Sequence, residues 1–194
     1  MRQNYKNILF FLSLTFFSTI SSISISSESD FNEWLKNYKR DALSKGISEK
    51  TINIVFKDVK FLEQVIKYDR KQPEFFEDTN TYVNKRANSF RTKKAKKLLI
   101  ENSKLLDKIE KDFHVEKEIL LALMGIETNF GKYLGKMDII SSLATLSFDQ
   151  RRSAFFTNEL IILLKLLDQK VIDKEILFGS WAGAFGNFQF MPST

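Results

Sequence analysis

From residue 30 onward, apolar residues recur at the three- and four-residue spacing of amphipathic helices. Asp30 and Glu33 have the spacing of a capping box, which predicts a helix that runs to about Ser44 and ends at Gly46. Ser48 is predicted to cap a second helix. The positions expected to face the core in these two helices are Phe31, Trp34, Leu35, Tyr38, Ala42, Ile52, Val55 and Phe56.

Farther along, a polar stretch precedes two longer apolar patterns. The polar residues at 69–80 predict a loop laid over the surface. A helix from about Arg152 to Val171 is apolar nearly all round at 160–167, so we expect it to be the central buried helix, and Lys165 argues against a membrane span. A long helix is also expected from Thr92 to Asp112, with a buried side that comprises Leu98, Leu99, Leu105, Leu106, Ile109 and the following Phe113.

These patterns predict an all-α fold, and the composition agrees. The chain has 19 Phe but only 2 Pro and 7 Gly, which favours helices around a substantial core. It has no cysteine, which excludes disulfides, thiol catalysis, cysteine metal sites and a lipid anchor built on cysteine. The formal net charge of +6 is moderate, and we expect no nucleic-acid partner.

The first 26 residues have the layout of a secretory signal peptide. Arg2 and Lys6 flank an apolar stretch at 8–17, and small polar residues follow at 18–29. That stretch is short for a membrane span, although an uncleaved anchor stays open as the alternative. An exported protein without cysteine fits the bacterial periplasm. We therefore expect residues 27–194 to form a domain that works in the periplasm.

Glu127 is the leading candidate for chemistry, since it stands where the helical pattern calls for an apolar residue. Leu120, Leu123 and Glu127 share one stripe of a helix, and this stripe is expected to face the core. Burial, together with a place in the last turn before Gly131, would raise the pKa of Glu127, as a general acid requires. A structural glutamate bonded to backbone or to an arginine has the same pattern, so both interpretations stay open.

The last segment, residues 179–194, is of a different kind. Gly179, Gly183 and Gly186 recur among small residues, which lets the backbone approach a ligand closely. The amide of Gln189 can both donate and accept, and amides beside aromatic rings suit a sugar. A tight turn between two helices is the alternative interpretation.

Two further features have plain interpretations. His114 lies beside Glu116 and Glu118 without the spacing for a third ligand, so we predict neither a metal ion nor a cofactor. A basic run is expected to form a solvated helix face or, alternatively, to attract anionic cell-wall polymers, and it comprises Arg91, Lys93, Lys94, Lys96 and Lys97.

Glu127 and the glycine-rich segment belong to a set of ordered motifs. These are Asp-Arg-Lys-Gln-Pro-Glu-Phe at 69–75, Gly-Ile-Glu-Thr-Asn-Phe-Gly at 125–131, Ser-Leu-Ala-Thr-Leu-Ser-Phe at 142–148, Arg-Arg at 151–152 and Gly-Ala-Phe-Gly-Asn-Phe-Gln-Phe-Met-Pro-Ser at 183–193. In this order and spacing, nearly all of the chain after residue 26 closely resembles the lytic murein transglycosylases of the membrane-bound B type.

The resemblance implies a lysozyme-like transglycosylase domain that cleaves the MurNAc-GlcNAc β-1,4 bond of peptidoglycan without water and leaves 1,6-anhydroMurNAc ends. Glu127 would act as acid and then as base. A second carboxylate is not needed, because the nucleophile is a hydroxyl of the substrate. Ser180 would hydrogen-bond the acid, and Gln189, Phe190 and Met191 would line the sugar cleft. The implied protein is a monomer whose partners are glycan strands and other cell-wall enzymes.

The chain departs from the family pattern at three points. Phe185 replaces a frequent Met, and Ser141 replaces an Asp, which predicts the loss of a local hydrogen bond. Relatives continue beyond the position of Thr194 and build the opposite cleft wall, so residues 27–194 are expected to be the N-terminal portion of an incomplete catalytic domain. Two alternatives therefore stay open, a non-catalytic or degenerate wall-binding fragment and a hydrolytic muramidase.

Overall fold

Helices dominate the part of the chain that the computed structural model describes, residues 28–71 and 78–194. A two-stranded antiparallel ribbon joins β1 (Met137–Asp138) to β2 (Phe178–Gly179), and a 3-10 turn at Lys174–Ile176 precedes β2. The all-α prediction is confirmed, whereas the predicted signal peptide lies outside the described residues. Within those ranges the helices are α1 (Glu28–Ser44), α2 (Glu49–Val55), α3 (Glu63–Lys71), α4 (Thr79–Arg86), α5 (Ser89–Glu101), α6 (Ser103–Phe113), α7 (Lys117–Thr128), α8 (Ile139–Phe148) and α9 (Ser153–Asp168).

The first two helices largely follow the sequence pattern. The chain turns at Gly46, where φ is 87°, and the side chain of Ser48 accepts the N–H of Thr51. The predicted core positions of α1 and α2 are buried, except that Trp34 is half-buried. One detail is wrong: α1 already contains Glu28 and Ser29, so Asp30 lies inside its first turn rather than at its N-cap.

Helices α8 and α9 pack against each other at the centre of the fold. Every residue of α8 from Ile139 to Ser147 is buried, and Asp138 caps the helix by accepting the N–H of Ser141 at 2.6 Å. Helix α9 is buried along the face that carries Leu160 and Leu164. The sequence pattern predicted α9 as the central helix but did not reveal that α8 shares this place.

Helices α1, α2 and α3 pack around this pair, and we call α1, α2, α3, α8 and α9 the core layer. Asp168, at the end of α9, accepts hydrogen bonds from the hydroxyls of Ser48 and Thr51, the latter at 2.6 Å. These bonds hold α2 on α9, and they lower the pKa of the Asp168 carboxyl, with Ser48 contributing most.

Helices α4 to α7 form an outer layer in which α5 and α6 pack on α7. The predicted long helix is wrong, because the chain breaks at Asn102, whose side-chain amide donates to the carbonyl of Leu98 at 3.1 Å. Such a side-chain bond competes with continued helix. Of the positions predicted to face inward, Leu106 is buried, whereas Leu105 and Phe113 are exposed.

The predicted surface loop at 69–80 is wrong at both of its ends. Asp69 is a buried residue in the last turns of α3, and Thr79 begins α4 after Asp78, whose carboxylate accepts the N–H of Thr81 at 3.0 Å. The intervening residues, 72–77, lie outside the described part of the chain. Across the described ranges, no helix combines the length and the apolar character needed to cross a bilayer.

Candidate active site

Glu127 lies in the last turn of α7, and its side chain is exposed. The face of α7 that turns inward carries Leu121, Gly125 and Thr128, so the predicted inward stripe through Leu123 and Glu127 is wrong. The helix is apolar on nearly every side, and the apolar pattern alone therefore does not identify its buried face. Among residues 28–71 and 78–194, no hydrogen bond or ion pair engages the Glu127 carboxylate, which leaves it open to a ligand.

The chain reverses sharply just after Glu127. Asn129, Phe130 and Gly131 are consecutive residues in the left-handed region, with φ values of 51°, 60° and 77°. The N–H of Asn129 donates to the carbonyl of Gly125 at 3.2 Å. A Cβ at Gly125 would come within 2.8 Å of the Phe130 ring, so this glycine allows the ring to fold back against the helix.

Thr128 connects this reversed turn to the glycine-rich segment. Its hydroxyl is fully buried and accepts the N–H of Gly131 at 2.9 Å. As a donor, the same hydroxyl faces two carbonyl oxygens, that of Asn187 at 2.9 Å and that of Met124 at 3.1 Å. The residue next to Glu127 therefore fixes the end of α7 to a segment about sixty residues farther along the chain.

Ser180 organises a tight turn in the glycine-rich segment. Its hydroxyl accepts the N–H groups of Ala182 at 3.3 Å and Ala184 at 3.1 Å, and its own N–H donates to the carbonyl of Ala184 at 2.8 Å. Gly183 has a φ of 96°, and a Cβ there would lie 2.4 Å from Leu143. In the described structure the hydroxyl hydrogen of Ser180 has no acceptor, and the predicted bond from Ser180 to Glu127 stays a prediction.

The other three predicted cleft residues differ in how they are used. Gln189 has its amide nitrogen 3.1 Å from the carbonyl of Leu134 and 2.9 Å from that of Gly186, so the amide holds the backbone together. Phe190 stacks on Phe188 at 5.9 Å between ring centroids and is 51% exposed. Met191 is half-buried against the core. Phe190 therefore offers the most accessible apolar surface of the three.

Ser141, one of the departures from the family pattern, makes its own hydrogen bonds, and the predicted loss of a bond relative to Asp stays a prediction. Ser141 is buried, and its hydroxyl accepts the N–H of Lys60 at 3.1 Å while its own N–H donates to Asp138. Phe185, the other departure, is half-buried against the core, and its N–H donates to the carbonyl of Phe190 at 3.1 Å. Both substitutions are accommodated by local contacts.

Comparison with known proteins identifies the family. Residues 30–194 match the model of the transglycosylase SLT domain. The chain belongs to this family. The membrane-bound lytic murein transglycosylase B of Escherichia coli (strain K12) is 42% identical over 83 residues, which are 42% of this chain and 23% of that protein. The predicted resemblance to type B lytic transglycosylases is thus confirmed.

Solved structures agree with this assignment. SltB3 from Pseudomonas aeruginosa, in complex with NAG-NAM-pentapeptide, matches with a TM-score of 0.80 and 31% identity, over 84% of this chain and 44% of that chain. The Escherichia coli lytic transglycosylase Slt35, in complex with bulgecin A, matches with a TM-score of 0.71 and 27% identity, over 82% of this chain and 52% of that chain. The chain therefore spans about half the length of these solved relatives.

An ion-pair network around the buried Asp69 of this transglycosylase SLT domain was not predicted. Asp69, only 1% exposed, accepts from Arg151 at 2.7 Å, from Arg70 at 3.3 Å and from Arg152 at 3.4 Å. Arg70 also forms a bidentate pair with Asp149 at 2.9 and 2.7 Å, and this bonding raises the pKa of Arg70. The network fixes α3 to the connection between α8 and α9. Asp69 and the arginine pair both belong to motifs quoted from the sequence, but the sequence did not show that they contact each other.

A second unpredicted contact holds the far end of the glycine-rich segment. Glu159, buried in α9, accepts the N–H of Ser193 at 2.9 Å. An acid beside Leu160, at the start of the apolar stretch of α9, was the available signal, because a buried carboxylate needs a hydrogen-bond donor. In this transglycosylase domain, the segment that carries Phe190 and Met191 is thus attached to α9 at one end and to α7 at the other.

Proposed function

We propose that the chain functions as a peptidoglycan lytic transglycosylase, with Glu127 as its catalytic acid and base. The observation that carries the proposal is the exposed Glu127 at the end of α7, beside a Thr128 that binds the glycine-rich segment through Asn187. Membership of the transglycosylase SLT family supports this assignment, as does the likeness to SltB3 in complex with NAG-NAM-pentapeptide.

The reaction needs one carboxyl group in two protonation states. Protonated Glu127 gives its proton to the glycosidic oxygen while the bond from MurNAc C1 to that oxygen breaks, and GlcNAc leaves with a hydroxyl group. The Glu127 carboxylate then takes the proton of the MurNAc C6 hydroxyl as O6 bonds to C1. Glu127 ends protonated, and no water is consumed. Since the substrate supplies the nucleophile, the second carboxylate of ordinary glycoside hydrolysis is not required.

The glycine-rich segment supplies the proposed substrate contacts. The exposed face of Phe190 suits the apolar face of a sugar ring, with Met191 beside it. Ser180 can donate its hydroxyl hydrogen to Glu127 or to the sugar. Gln189 positions the backbone, and its side-chain oxygen can accept from a sugar hydroxyl. A bound sugar covering Glu127 would exclude water from the carboxyl group, which strengthens its interactions.

The site of action follows from the substrate. We propose that the protein works on glycan strands in the periplasm as a monomer, beside other cell-wall enzymes, after removal of residues 1–26. The bacterial cell-wall enzymes among its relatives support this location.

The product of peptidoglycan digestion tests the proposal. Purified peptidoglycan is incubated with the protein, with Glu127→Gln and with Glu118→Gln, a matched change at another exposed glutamate of α7. Mass spectrometry should detect anhydromuramyl ends from the wild type and from Glu118→Gln. It should detect about a hundredfold fewer from Glu127→Gln, the magnitude expected for loss of a general acid. Reducing muramyl ends would indicate a hydrolytic muramidase, and binding without products would indicate a wall-binding fragment; either result overturns the proposal.

A further inference from the structure

One lysine of the basic run on α5 is placed differently from its neighbours. Lys93, Lys96 and Lys97 are exposed and form the solvated face that the sequence predicted. Lys94 is half-buried and turns toward the end of α7. The two helices pack against each other, so a side chain on this face of α5 reaches the turn that follows Glu127.

Lys94 makes two contacts with that turn. Its ammonium group donates to the backbone carbonyl of Asn129 at 3.2 Å, and it lies 5.0 Å from the centroid of the Phe130 ring. The first contact gives a hydrogen-bond donor to a carbonyl just past the helix end. The positive charge of the ammonium group there also interacts favourably with the negative end of the helix dipole. The second is a cation–π contact with a ring that is itself held against Gly125.

The turn needs such support because its backbone is unfavourable. Asn129 and Phe130 are both in the left-handed region, which Asn tolerates better than most residues but which is rare for a bulky side chain such as Phe. The side-chain oxygen of Asn129 is buried without a hydrogen-bond partner among the described residues, so it does not stabilise the turn locally. Hydrogen bonds within α7 and its turn support the conformation, from the N–H of Asn129 to Gly125 and from the N–H of Gly131 to Thr128. Lys94 adds two contacts from another helix.

We propose that Lys94 is a positioning residue for Glu127: it holds the left-handed turn at Asn129 and Phe130 and so fixes the end of α7 that carries the acid. This inference rests on the proposed function of Glu127 and goes beyond it by naming a residue on another helix. Lys94 acts through the turn, and its loss should change turnover more than substrate affinity.

Matched substitutions on α5 test this role. Lys94→Met keeps the aliphatic stem and removes the charge, Lys94→Arg keeps the charge, and Lys93→Met removes an exposed charge one residue away. We expect Lys94→Met to lower kcat about tenfold with less than a twofold change in KM, because a small displacement of an acid is enough to slow proton transfer. Lys94→Arg should restore most of kcat, and Lys93→Met should match the wild type.

A measurement without substrate separates this inference from the proposed function. Amide hydrogen exchange at 129–131 should be about tenfold faster in Lys94→Met, whereas exchange in α9 should stay as in the wild type. Unchanged exchange at 129–131 overturns the inference, even in an active enzyme. A higher KM with unchanged kcat, or equal losses in Lys93→Met, also overturns it. If the wild type forms no anhydromuramyl ends, the proposed function fails and the exchange result alone decides whether Lys94 holds the turn.

Discussion

The core layer and the outer layer use their apolar residues in opposite ways. In the core layer, α8 buries every residue from Ile139 to Ser147, and α9 buries five large apolar side chains: Phe156, Leu160, Ile161, Leu163 and Leu164. In the described outer layer, Leu106 and Leu121 are the large apolar side chains that are buried. Many others lie on its surface: Tyr82, Val83, Phe90, Ile100, Leu105, Phe113, Ile119, Leu123 and Ile126.

This difference matters because Glu127 belongs to the layer with little buried surface. Packing of one helix face against a core positions a side chain on α8 or α9, whereas α7 is held mainly by α5 and α6. Specific polar contacts therefore carry more of the positioning around Glu127, namely those of Thr128 with Asn187 and of Lys94 with Asn129. Changes in the core layer should lower stability, and changes at these contacts should alter turnover.

The largest expected effect compares one leucine from each layer. Leu160→Ala empties a fully buried position in α9 and should lower the free energy of unfolding by about 2–5 kcal/mol. Leu123→Ala removes a side chain of α7 that is 41% exposed and should cost less than about 1 kcal/mol. Urea unfolding followed by circular dichroism measures both values. Equal losses would show that the exposed face of α7 is covered in solution, which would contradict the contrast between the layers.

Substitution of two buried threonines, one in each layer, distinguishes an effect on stability from an effect on the position of Glu127. Thr128→Val leaves the Gly131 N–H and the Asn187 carbonyl without their partner, and Thr145→Val in α8 leaves the N–H of Leu62 in the same way. A buried polar group left without its partner costs about 1–3 kcal/mol, so both variants should lose stability. Only Thr128→Val should lower the yield of anhydromuramyl ends, measured at a temperature where both variants are folded. Equal yields would show that the Thr128 contact does not position Glu127.

The two layers also differ in how far the sequence predicts them. The sequence pattern predicted helices α1 and α2 because each helix has one apolar face and one polar face. In α7 the apolar residues lie on all sides, so the pattern indicated a helix but selected the wrong inward face. The break at Asn102 was missed because apolar positions continue through it, and α8 was missed because it is short and nearly uncharged.

The sequence likewise predicted some parts of the candidate site and not others. Glu127 and the glycine-rich segment were found because their residue types are unusual for their positions, and motif order then indicated the family that the comparison confirms. The contacts that build the site join Thr128 to Asn187, Lys94 to Asn129 and Glu159 to Ser193. These pairs are far apart along the chain and depend on how the helices pack, which local periodicity does not encode.

The smallest expected effect concerns a buried hydroxyl of the core layer that lacks a hydrogen-bond partner in the described structure. This is the hydroxyl of Tyr38. Burial raises the pKa of Tyr38 above its ordinary value, and the nearby Asp41 carboxylate adds to the shift. Tyr38→Phe removes the unpaired hydroxyl and should raise the free energy of unfolding by about 1 kcal/mol near pH 7. Tyr82→Phe, at an exposed position in α4, should leave it unchanged.

The same pair of variants predicts a pH dependence whose sign can be derived. Above about pH 10 the phenol of the unfolded chain loses its proton while the folded Tyr38 keeps it, so the unfolded state binds fewer protons and stability falls as pH rises. The stability that this pKa difference contributes is fully present below about pH 10 and is lost as the pH rises further. Tyr38→Phe should therefore lose less stability than the wild type between about pH 9 and pH 11. Tyr82→Phe retains Tyr38 and should decline with pH as the wild type does, in urea titrations across that range. Parallel decline in all three proteins would show that Tyr38 ionises as readily in the folded core as in water.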